Sequence, residues 1–155
     1  MSQQHQATRS FQLSISKKRT VDTSEPEAIN RFKVTTTSFT ELPAVVTQHN
    51  YSLIHWEENP VLTDQFNRTR SGDKFESASG VMIDVDDGLT LTIEEAEQKL
   101  KAQNVNYSLV TSKSHTPAHP KYHILLPFEE PLTSKELYES VATTVIEQMF
   151  PESDQ

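Results

Sequence analysis

The chain has 155 residues, 34% of them hydrophobic, with a formal net charge of −8 and no cysteine. That is room for one domain with a modest core, and it excludes a disulfide framework or a cysteine-built zinc site. No apolar run reaches the length of a membrane span, and the polar opening MSQQHQATRS lacks the apolar core of a secretory signal, so the expectation is a protein of the cytoplasm with no membrane partner.

Residues 1–10, rich in Gln, Ser and His, read as disordered. FQLSIS, Phe11 to Ser16, alternates apolar and polar residues and predicts a short strand. The basic cluster Lys17-Lys18-Arg19 follows it. Residues 35–50 are Thr-rich and ambiguous, and NYSLIHW, Asn50 to Trp56, predicts a strand. Between Glu57 and Ser79 runs a polar stretch with Pro60, Gly72 and the cations Arg68, Arg70 and Lys74. The apolar pattern resumes on both sides, so 57–79 reads as a long, basic functional loop closing an N-terminal region of residues 11–79.

The region 80–155 has clearer periodicity. In GVMIDVDDG, Val81, Ile83 and Val85 alternate with Met82, Asp84 and Asp86, which predicts a strand ending at Asp87-Gly88. TIEEAEQKLKAQ predicts a helix: Thr92 and Glu95 make a capping box, Ile93, Ala96 and Leu100 form an apolar stripe, and Glu95–Lys99 and Glu97–Lys101 are helix-supporting pairs. VNYSLVTS, Val105 to Ser112, predicts a second strand, and SHTPAHPK a loop broken by Pro117 and Pro120. YHILLPF, Tyr122 to Phe128, predicts a buried third strand. TSKELYESVATTVIEQMF then predicts a helix with a second capping box at Thr133 and Glu136, an apolar face of Leu137, Val141, Val145 and Met149, and a stop at Pro151. The order strand–helix–strand–strand–helix is an α+β pattern of ferredoxin-like type with its last strand missing.

Asp84 and Asp86 sit two apart on one strand, so they share a face at roughly 6.5–7 Å. Two ionised carboxylates side by side repel and resist burial. A divalent cation between them removes that penalty, and Mg²⁺ prefers one or two protein carboxylates with phosphates and water completing its shell. The alternative is a solvated strand end running into an Asp-Gly turn. DVDDGLT also resembles part of the D-x-D-x-T/V pattern of haloacid-dehalogenase-type phosphatases, with Gly88 in place of the Thr, but no acidic pair at a later strand end completes that site.

His115, His119 and His123 are four apart, yet Pro117 and Pro120 exclude the helix that would align them. His123 lies inside an apolar strand. It is either a hydrogen-bonded core histidine or a group that binds phosphate or moves a proton near a metal. In TSKSH, Ser112, Lys113 and Ser114 with the local backbone amides could cradle a phosphate tail, or form an ordinary polar turn. Charge bears on the partner: residues 1–33 carry six Lys/Arg against three acids, and residues 34–155 carry eight against nineteen. An acidic body weighs against strong non-specific binding of nucleic acid.

Together GVMIDVDDG and YSLVTSKSHTPAHPKYHILLPFEEPL resemble the archaeo-eukaryotic primase superfamily, in its phage and plasmid primase-polymerase branch. The likeness covers residues 80–150, and WEENPVLTDQFNRTRSGDKF resembles the loop that precedes the first motif in that family. The resemblance implies a primase-polymerase palm whose catalytic half is RRM-like. It implies that Asp84 and Asp86 hold Mg²⁺ or Mn²⁺, that His123 (or His115) is the histidine of the nucleotide pocket, and that Ser112, Lys113 and Ser114 line the triphosphate. The implied activity is a DNA primase/polymerase-type nucleotidyltransferase acting on a nucleoside triphosphate and a DNA template in phage or plasmid replication, alongside a helicase or a separately encoded remainder of the enzyme. In two-metal nucleotidyl transfer a 3′-hydroxyl attacks the α-phosphate. The family's third carboxylate belongs on a strand after the last helix, where this sequence has only FPESDQ and Asp154. The expectation is therefore a chain truncated before that motif and weak in polymerisation alone, or a non-catalytic relative that binds a replication partner or nucleic acid.

Overall fold

The computed structural model describes residues 10–149 apart from 21, 23, 86–90, 104, 112–115 and 117–119. The described residues form a mixed α+β fold of two antiparallel four-stranded sheets and four helices. No helix among them is long and apolar enough to cross a membrane. The stretch 1–9, read as disordered, lies outside the described residues, while Ser10 already belongs to a strand.

The alternating segment forms β1 (Ser10–Ser16). A short helix α1 (Pro26–Asn30), with proline in its first turn, leads into β2 (Arg31–Ser38). β2 carries Val34 and three consecutive Thr, whose branched side chains suit a pleated surface, and it pairs with β1 along seven residues from Ser10↔Ser38 to Ser16↔Phe32. The ambiguous stretch 35–50 thus divides into the end of β2 and a helix α2 (Leu42–Gln48).

The expected single strand from Asn50 to Trp56 is two. β3 (Tyr51–Ser52) pairs with β1 in the first sheet, and β4 (Ile54–Trp56) pairs in the second with β6 (Phe75–Val85). Leu53 between them is 1% exposed, and its carbonyl accepts from the Ser79 amide at 2.8 Å. The chain crosses from one sheet to the other at a side chain that both help to bury. The loop expected over 57–79 is also shorter, and its three cations stand among five acids. β5 (Arg68–Thr69) closes the first sheet beside β2, a 3₁₀ turn spans Gly72–Lys74, and β6 begins at Phe75, whose ring packs 5.8 Å from Tyr138. Two of the loop's cations hold the fold together. Arg68 donates to the Trp56 carbonyl at 2.8 Å and to Glu76 at 2.7 Å, and Arg70 lies 5.9 Å from the Trp56 ring.

In the second half β6 is followed by α3 (Ile93–Ala102), β7 (Ser108–Thr111), β8 (Tyr122–Leu132) and α4 (Lys135–Met149). The first sheet runs β3-β1-β2-β5 and the second β4-β6-β8-β7. β6 and β8 are the central pair, and their backbones come so close at Gly80 that a Cβ there would stand 2.4 Å from the Leu126 carbonyl oxygen. Only glycine allows this approach.

Alternation on β6 sends Val81, Ile83 and Val85 to one face, where they meet Tyr122, Ile124, Ala96 and Leu100. Met82 and Leu125 face the other way, into a second core with Leu13, Ile15, Leu42, Val46 and Leu53. Each such side chain, once fully buried, contributes about 1.5–3 kcal/mol. The capping box of α3 is as the sequence predicts: the Glu95 amide donates to Thr92 Oγ1 at 3.1 Å, and the Thr92 amide to Glu95 Oε1 at 3.0 Å.

The start of α4 and part of its inner face differ from expectation. Ser134, one residue after Thr133, caps the helix, its hydroxyl accepting from the Leu137 amide at 3.1 Å. Leu137 is 51% exposed, and Tyr138, Val141, Ala142, Val145 and Ile146 turn inward. A strict i+4 row advances about 40° around the helix per step, so Val141 and Val145 of the expected row reach the core while Leu137, at its start, does not. The side chain of Met149 lies outside the described residues.

Candidate metal–nucleotide site

Asp84 is the penultimate residue of β6, on the face of Met82 that looks toward the first sheet. His123 stands directly opposite it on β8, and Val110 on β7 is the next partner in the row. The His123 Nε2 lies 3.5 Å from Asp84 Oδ1. On its other side the His123 Nδ1 is 2.5 Å from the hydroxyl of Tyr51, which enters from β3 with its ring edge-on to the imidazole at 5.6 Å. Three elements from two sheets thus form one row of hydroxyl, imidazole and carboxylate.

The electrostatics assign protons along that row. Burial, reinforced by the Asp84 charge and opposed by Arg19, pushes the Tyr51 phenol up, so it stays protonated. In the neutral imidazole the phenol donates to Nδ1, and the Nε2 proton then points at the carboxylate, an assignment made from the hydrogen-bond partners. The row opens to solvent: the Asp84 side chain is 64% exposed and that of His123 34%. A pair so exposed adds little to stability. Its carboxylate keeps lone pairs available to a cation.

The sequence-derived candidates divide accordingly. Asp84 and His123 come together on neighbouring strands. Asp86, Ser112, Lys113, Ser114, His115, His119 and Asp154 lie outside the described residues. Among the described residues no group of three or more His, Asp or Glu side chains is placed to hold a metal ion.

No family model, curated protein or solved structure matches this chain.

Two participants escaped the sequence analysis. Tyr51 stood in a segment read as one strand, and nothing local marks it as the neighbour of a histidine 72 positions away. Arg19 was visible only as part of a basic cluster. Its charge acts on Tyr51, and its Nη1 donates to the Val46 carbonyl at 3.1 Å, near the end of α2. A further histidine also went unremarked. His55 on β4 is 1% exposed, with Nδ1 2.7 Å from the Ser14 hydroxyl and Nε2 2.6 Å from that of Ser79.

Proposed function

We propose that this chain is a nucleotide-binding module of primase-polymerase type, using Mg²⁺ or Mn²⁺ to hold a nucleoside triphosphate for nucleotidyl transfer on a DNA template. The observation that carries the reading is the row Asp84–His123–Tyr51, an exposed carboxylate and an imidazole on adjacent strands at the mouth between two sheets. The oxygen donor at Asp84 suits a hard divalent cation, which takes one or two carboxylates with substrate phosphates and water. Asp84 with Asp86 would hold it, and the metal would supply charge stabilisation for the transferring phosphoryl group. His123, held by Tyr51, would contact a phosphate oxygen or pass a proton, and Ser112, Lys113, Ser114 and His115 would line the triphosphate.

The topology supports the palm assignment. The run β6-α3-β7-β8-α4 with sheet order β4-β6-β8-β7 corresponds to a ferredoxin-like arrangement in which the fourth strand's place, beside β6, is held by β4 from the N-terminal half. Every strand pairing is antiparallel among the described residues, which weighs against the phosphatase-type alternative, whose site needs a parallel, doubly wound sheet. The acidic stretch 34–155 favours a second reading, a non-catalytic module docking a basic replication partner such as a helicase or a separately encoded remainder of the enzyme.

Titration with a labelled nucleoside triphosphate in Mn²⁺ tests the proposal. Binding that requires the metal and is lost in Asp84→Ala, with the fold intact by circular dichroism, supports it. Binding indifferent to metal and to Asp84 sinks it. Template-directed primer extension then separates the catalytic reading from the docking one.

A further inference from the structure

Beyond His123 the row on the second sheet ends at β7, an edge strand. Helix α2 stands over it, leaving a cleft of about 220 Å³ whose lining includes Arg19, Pro43, Val46, Thr47, Leu109 and Val110. Pockets for drug-sized ligands span about 300–1,000 Å³, so this one takes a single flat ring system. Its walls set Pro43, Val46, Leu109 and Val110 among the hydroxyls of Thr47, Ser108 and Thr111, and β7 offers the outward backbone donors and acceptors of a strand with one neighbour. Among the described residues no carboxylate pairs with Arg19, whose one hydrogen bond there, to the Val46 carbonyl, fixes the guanidinium at the cleft's rim. Two strand spacings, about 10 Å, separate the Asp84 and Val110 strands.

We propose that the cleft between α2 and β7 seats the base of a mononucleotide, with Arg19 binding its phosphates as they run toward Asp84. The inference rests on the function proposed above and adds where each end of the substrate lies. Charge complementarity selects the occupant. The acidic body repels phosphate, and the planar fork of a guanidinium matches two phosphate oxygens at once. A flat, aromatic base with polar edges fits a partly apolar, hydroxyl-edged cleft of this size, and a bare phosphate leaves its apolar part empty.

The full chain, Arg19→Gln and Thr47→Trp are titrated calorimetrically in Mn²⁺ with ATP and, separately, with inorganic triphosphate. Thermal melts check folding, and Thr47 is exposed, so added bulk there enters the cleft without entering the core. Arg19→Gln is expected to weaken both probes about tenfold, the loss of one charge-assisted hydrogen bond. Thr47→Trp is expected to weaken ATP about tenfold and to leave triphosphate within about twofold. If ATP binding depends on Asp84 but is unchanged in both cleft variants, the placement is overturned and the metal–nucleotide site stands. If the parent chain binds neither probe, both readings fall together.

Discussion

His55 and His123 bridge the same two sheets in the same way and differ in what surrounds them. Each imidazole has its Nδ1 beside a hydroxyl of the first sheet, Ser14 or Tyr51, and its Nε2 beside an oxygen of β6, Ser79 or Asp84. His55 is sealed, with a neutral hydroxyl at each end. His123 is one-third exposed and ends on a carboxylate. In the closed bridge both ring nitrogens are engaged and no ligand can reach them, so the histidine serves as a polar pin through the core. In the open bridge, water and solutes reach both the carboxylate and the ring, so the same side chain is available for chemistry.

The sharpest test of that contrast is to break each bridge. His55→Phe leaves the Ser14 and Ser79 hydroxyls buried without their partner. It should lower unfolding free energy by about 2–4 kcal/mol in urea titration while any Mn²⁺-dependent ATP binding persists. His123→Ala should cost about 1–2 kcal/mol of stability, less than His55→Phe, yet weaken metal-dependent ATP binding about tenfold or more. Equal stability losses in the two variants would erase the distinction.

Acid titration probes the closed bridge. Burial first, and the Arg68 charge second, hold His55 down to about 4, with Glu76 opposing them. Its unfolded counterpart titrates near 6.5, so between these values the unfolded chain binds the extra proton. Stability from this residue is therefore complete above about pH 6.5 and lost as pH falls toward about 4, by up to about 3 kcal/mol. His55→Gln should flatten that stretch of the stability–pH curve. An unchanged slope would mean that other groups govern it.

A smaller effect probes the open bridge. Tyr51→Phe removes the phenol that holds His123. We expect a stability loss of about 1 kcal/mol, together with a change in the His123 tautomer seen in the ring nitrogen shifts by NMR. Nitrogen shifts identical to those of the parent chain would show that the phenol does not orient the ring. The smallest effect concerns the helix behind the sheet. Ser134→Ala should cost about 1 kcal/mol through the lost cap of α4, and Thr133→Ala should stay within about 0.5 kcal/mol of the parent chain in thermal melts.

What could be read in the sequence was whatever a short window encodes. Period-two alternation at Phe11–Ser16 and Val81–Val85 identifies strands, and the Thr92–Glu95 box identifies a helix start, because these signals arise between residues a few positions apart. The pairing of Asp84 with a strand histidine was half visible: both residues drew notice, but their alignment depends on the β6–β8 register. The split at Leu53 was not visible, because Asn50 to Trp56 has the pattern of one strand and only burial against both sheets divides it. The inner face of α4 was half visible: Val141 and Val145 were expected there, whereas Tyr138, Ala142 and Ile146 complete it in place of Leu137.

The sequence by itself determined which segments extend or coil and which acidic and imidazole groups were candidates for chemistry. The tertiary structure alone decided that Tyr51 and Arg19 would join Asp84 and His123, and that His55 would be sealed away from them. The physical reason is range. Propensity and periodicity act within a turn or a strand, whereas a site assembled from β3, β6, β8 and the segment after β1 exists only once two sheets have buried their shared core.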